Sequence, residues 1–99
     1  NTSEAKNIYF LINTSKEKSA TAKDSTGKIL GYRINLSTTV VIKDSMTENE
    51  ILNNTFAFSS TYKVQDQFSE TLKIENKILE NLIDKTYQDL LIKFAENFL

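Results

Sequence analysis

The sequence predicts an α+β fold in which a three-stranded antiparallel sheet packs against one long C-terminal helix. Three observations carry that expectation. Residues 66–99 hold apolar side chains at helical spacing, residues 32–43 and 51–64 alternate with period two, and a short polar run joins those alternating segments. Helical and strand periodicities place side chains on one stripe or on alternate faces, so each pattern names its own core surface.

Residues 1–7 are polar, with nothing in them to tie them down. Residues 8–13 read as a short strand with Ile8, Phe10 and Ile12 on one face and Tyr9 and Leu11 on the other. Both faces are apolar, so the strand calls for cover on both sides. Residues 14–28 turn to Ser, Thr, Lys, Ala and Asp without apolar periodicity. They read as a long mobile connection with a turn at Asp24-Ser25-Thr26-Gly27.

Residues 32–43 form the clearest strand. Tyr32, Ile34, Leu36, Thr38, Val40 and Ile42 share the core face, while Arg33, Asn35, Ser37, Thr39, Val41 and Lys43 share the wet one. A polar connection at 44–49 leads into a second alternation, with Leu52, Phe56, Phe58, Tyr62 and Val64 inward. Phe56 and Phe58 are expected across from Leu36, Thr38 or Val40.

In the helix, Phe68, Leu72, Leu79, Leu82, Ile83, Tyr87, Leu90, Leu91, Phe94, Ala95 and Phe98 make the stripe, and the opposite face is charged. About ten of these side chains should be buried, at roughly 1.5–3 kcal/mol each before chain entropy is subtracted. Asp66 or Ser69 is placed to cap the first turn, Lys93 falls near the negative end, and Asp89 and Lys93 form an i,i+4 pair.

Composition excludes more function than it assigns. A chain of 99 residues forms one domain, and its net charge of -1 offers no field for nucleic acid. Without cysteine or histidine there are no thiolate sites, no imidazole base and no histidine metal helix. The two glycines, Gly27 and Gly31, cannot assemble a phosphate-cradling loop. The carboxylate pairs Glu48 with Glu50 and Glu80 with Asp84 lie in a loop and on a wet helix face, the setting of surface acids and not of a general acid and base. The expectation is a non-enzyme without cofactor or metal that binds a ligand or docks to another protein.

The run Gly31 to Asp44, the run Asn54-Thr55-Phe56-Ala57-Phe58-Ser59-Ser60-Thr61-Tyr62-Lys63-Val64 and the helix entry Phe68-Ser69-Glu70 together resemble the LptE family of lipopolysaccharide-assembly lipoproteins. The resemblance spans roughly residues 8–98 in order and spacing, and rests most on a strand that ends in Ser-Ser-x-Tyr just before a long helix. It implies a two-layer α/β sandwich and an outer-membrane lipoprotein on the periplasmic side. It also implies docking inside an LptD-type β-barrel and binding of lipopolysaccharide during export. The family's lipidated cysteine, first strand and first helix have no counterpart here, so the chain reads as a single truncated domain. An open strand edge or uncovered sheet face could then pair with a second copy. For lipopolysaccharide phosphates the resemblance points to cations near strand ends and the helix start: Lys63 and Lys73 first, then Arg33 and Lys43. The rival expectation is a periplasmic adaptor that binds protein alone.

Overall fold

A computed structural model describes residues 7–99. Three strands, β1 (Ile8–Lys23), β2 (Ile29–Asp44) and β3 (Glu50–Lys63), form an antiparallel meander in the order β1-β2-β3, followed by α1 (Phe68–Phe98). The expected architecture is present. It is also long and thin, 67 × 19 × 19 Å with a radius of gyration of 19.0 Å. A compact chain of this length would have a radius near about 13 Å. Strands of 14 to 16 residues beside a helix of 31 account for the rod.

β2 keeps the predicted face. Ile34, Val40 and Ile42 are fully buried, Leu36 and Thr38 nearly so, and β3 answers with Leu52, Phe56 and Tyr62. Their register sets Leu36 opposite Phe58 and Thr38 opposite Phe56. The core has two clusters: Ile34, Leu36, Tyr62 and Leu82 in one, and Val40, Ile42, Leu52 and Phe56 in the other. Phe58 packs against both.

β1 corrects the first expectation. Instead of stopping at Asn13, the strand runs to Lys23, so most of the predicted mobile connection at 14–28 is ladder-bonded to β2 from Thr14↔Thr38 through Ala20↔Tyr32. Ser and Thr suit an extended backbone, and an edge strand can hold its place by main-chain hydrogen bonds without burying either face. Only the turn remains of the loop. There, Asp24 Oδ1 accepts from the backbone N–H of Thr26 and Lys28, and Gly27 adopts a φ of +89°. The β2–β3 turn is closed by Asp44 N–H donating to the Asn49 carbonyl.

The helix also differs in detail. Gln67 stands at the N-cap without a side-chain cap, so neither Asp66 nor Ser69 performs that role; Thr71 Oγ1 instead accepts from the Gln65 N–H. Lys93 pairs with Glu96 at 3.5 Å instead of with Asp89, and the last turn carries no base. The largest correction concerns burial. Of the predicted stripe only Leu82 is fully covered, while Phe68, Leu72, Ile83, Tyr87 and Leu91 are exposed and Thr71 and Thr86 take buried positions. The cause is lateral placement: the axis of α1 runs nearest β3, with Leu82 reaching Ile34 and Leu36 of β2, so the flank of its stripe toward β1 is left largely open.

Candidate functional site

That opening makes a trough, with the helix-facing side of β1 as floor and the flank of α1 as wall. Alternation puts Ile8, Phe10, Ile12, Thr14, Lys16 and Lys18 on the floor, in register with Asp44, Ile42, Val40, Thr38, Leu36 and Ile34 of β2. Leu79, Ile83, Tyr87, Leu91 and Phe94 line the wall, because steps of three and four keep them on one side of the helix. At mid-length lies a small apolar cavity of about 200 Å³, lined by Thr14, Leu36, Thr38, Ile83, Thr86, Tyr87 and Leu90. Its threonine hydroxyls already have partners. Thr14 and Thr38 bond each other at 3.2 Å, and Thr86 Oγ1 donates to the Leu82 carbonyl at 2.8 Å.

Each end of the trough is bridged. At one end the Phe10 ring stacks on Phe94 at 6.1 Å, and Phe94 on Phe98 at 4.6 Å. At the other, Lys18 Nζ lies 3.1 Å from Glu75 Oε2 and 4.3 Å from the centre of the Tyr32 ring, and the Tyr62 hydroxyl donates to Glu75 Oε2 at 3.0 Å. The bond from Lys18, with help from Tyr62, holds the Glu75 carboxyl below its ordinary range. The bond to Glu75 in turn raises the Lys18 ammonium pKa. Burial, then the bond to Glu75, pushes the Tyr62 phenol up. This network was missed from sequence, although one signal was available: Glu75 falls on the apolar stripe, seven residues before Leu82.

The predicted cations separate. Arg33 and Lys63 share the sheet face away from the helix, where the pairings Gly31↔Lys63 and Arg33↔Thr61 make them diagonal neighbours. Both line an open groove of about 740 Å³ with Thr21, Leu30 and Thr61, and neither has an ion-pair partner among the described residues. Lys73 lies on the solvent side of α1, paired with Glu70 at 3.7 Å, so the expected combination of Lys63 with Lys73 is not brought together. Lys43 sits ten residues along β2 from Arg33, roughly 33 Å at about 3.3 Å per residue.

The inventory of side chains limits the chemistry. Among the described residues no group of His, Cys, Asp and Glu is placed to hold a metal ion, and no helix is long and apolar enough to cross a membrane. The arrangement can bind: an apolar trough on one face of the sheet, and a cationic groove with an apolar rim on the other. No protein-family model matches the chain, and no curated protein matches it significantly.

Proposed function

We propose that this chain is an outer-membrane lipopolysaccharide-assembly component that docks within an LptD-like β-barrel on the periplasmic side and binds lipopolysaccharide during its export. The observation that carries the reading is the β3-to-α1 passage, in which Ser59-Ser60-Thr61-Tyr62 closes the strand and Phe68-Ser69-Glu70 opens a helix of 31 residues. Two further features support it. A rod only 19 Å across suits the lumen of a large outer-membrane barrel, a space such barrels commonly fill with a plug. The Arg33–Lys63 groove sets two cations that have no ion-pair partner among the described residues beside the exposed Leu30 side chain, a combination suited to a phosphorylated lipid headgroup.

Co-purification of the protein from its own envelope tests the docking half of this reading. Recovery of a large outer-membrane barrel supports it; a soluble periplasmic partner with no barrel overturns it. The lipid half is tested by Arg33→Glu with Lys63→Glu, which should abolish most binding to purified lipopolysaccharide while leaving the melting temperature in place. Lys73→Glu, already neutralised by Glu70, should leave binding nearly unchanged. A second reading, a periplasmic adaptor for protein alone, is favoured by the apolar trough and by the outer edges of β1 and β3, which pair with no strand among the described residues.

A further inference from the structure

A cavity of about 510 Å³ lies where the β1–β2 hairpin meets the entry to α1, bounded by the Lys18–Glu75 bridge and on the opposite sheet face from the Arg33–Lys63 groove. Its volume falls within the range of about 300–1,000 Å³ usual for sites that enclose small molecules. Ile29, Tyr32, Val64, Phe68 and Leu72 give it an apolar lining. Phe68 and Leu72 are 80 and 44 % exposed, so the chain leaves much of that lining open to water. Such a surface favours an occupant with an apolar body.

The polar groups around the cavity are balanced in charge and incompletely used. Lys18 and Glu75 neutralise each other, but the bonds that Glu75 accepts from Lys18 and from the Tyr62 hydroxyl both go to Oε2. Oε1 accepts nothing among the described residues, which leaves a carboxylate fixed in place with one oxygen to spare. Asp66 lines the same cavity without an ion-pair partner among the described residues, and so does Lys28. The backbone of Lys28 is set in position by Asp24, which bonds both its N–H and its carbonyl. Thr71 is only 8 % exposed; its Oγ1 accepts from the Gln65 N–H, and its own proton has no acceptor among the described residues. Acceptors for a cation, a donor for an anion and a buried hydroxyl proton therefore surround one apolar space.

We propose that this cavity binds a short apolar peptide of dipeptide size with both termini free. Its ammonium is taken by Glu75 Oε1 and Asp66, its carboxylate by Lys28, its internal carbonyl by the Thr71 proton, and its side chains by the apolar lining. An apolar carboxylate without an amine would set its charge against Asp66 and Glu75, and an apolar amine without a carboxylate would do the same against Lys28. A free amino acid carries both charges but no carbonyl between them. The inference goes beyond the lipid reading and does not depend on it.

Isothermal titration calorimetry of the chain with leucyl-leucine and with phenylalanyl-leucine tests the site. At least one should bind saturably, one per chain, and acetylating its amino end or amidating its carboxyl end should each weaken binding by about tenfold or more. Lys28→Gln, at an exposed position, should weaken binding of the free peptide and leave that of the amidated peptide unchanged. Asp66→Asn should discriminate in the same way between the free and the acetylated peptide. Saturation by neither peptide overturns the proposal. Capped peptides that bind as well as free ones overturn it too, as does a loss in Lys28→Gln that is equal for the free and amidated forms.

Discussion

β1 and β2 are strands of equal length, 16 residues each, hydrogen-bonded to one another along nearly their whole course, yet they share almost nothing in burial. β2 is roofed by α1 and flanked on both edges, and three of its side chains are fully buried. β1 has a neighbour on one edge and the open flank of a helix above, and none of its residues is buried. The difference separates two causes of order. In β2 the apolar face drives strand formation; in β1 the backbone ladder holds a chain whose side chains demand little.

The sharpest way to break this comparison is to truncate one residue on each strand. Ile34→Ala empties a fully buried site between Leu36, Tyr62 and Leu82, and should cost about 2–5 kcal/mol in urea unfolding, with a melting point lower by roughly 4–8 °C per kcal/mol. Ile12→Ala should cost under about 1 kcal/mol where the chain is monomeric, since its side chain is already more than half exposed. Equal losses at the two sites would mean that β1 is covered in solution by something that the single chain does not supply.

Where the two strands meet at the hairpin end, the backbone sets a different limit. A Cβ at Gly31 would stand 3.0 Å from Thr21 Oγ1 and 3.2 Å from the Tyr62 carbonyl oxygen. The Thr21 side chain can turn away, but the carbonyl is held in the sheet, so Gly31→Ala should cost about 1–2 kcal/mol. Adding Thr21→Ala should restore part of that loss. Full restoration would assign the strain to β1 alone, and no restoration would assign it to the β3 backbone.

What could be read from sequence follows the same division. Ile34, Val40, Ile42, Leu52, Phe56 and Tyr62 were readable because one-sided burial writes a period of two. Thr14 to Lys23 was unreadable for the complementary reason: a strand that buries nothing leaves no apolar pattern, and its polar residues imitate a loop. On α1 the existence of the helix was legible but its facing was not. A stripe counts apolar residues, whereas the sheet position beneath decides that Thr86 is buried and Tyr87 exposed. The candidate sites followed suit. Arg33 and Lys63 come together through the β2–β3 register, which their spacing along the chain does not reveal.

The smallest effect bears most directly on what holds the far half of β1. Among the described residues, Lys18–Glu75 is the ion pair that ties β1 to α1, with side-chain exposures of 37 and 15 %. Because Lys18 and then Tyr62 stabilise the ionised form, Glu75 titrates lower in the folded chain than in the unfolded one. Its contribution is therefore fully present above the unfolded value near about 4.3 and lost as pH falls through the depressed folded value. Lys18 shifts upward, so its contribution is present below about 10.4 and lost as pH rises through the raised value, where Tyr62, also shifted upward, acts in the same direction. With Lys18 more than a third exposed, the pair should contribute only about 0.5–1 kcal/mol near neutral pH. Glu75→Gln should remove that amount at neutral pH and nothing at the acid end, so the two stability curves converge as pH falls. Curves that stay parallel would mean that the pair contributes no pH-dependent stability, and that the far half of β1 is held by its ladder to β2 alone.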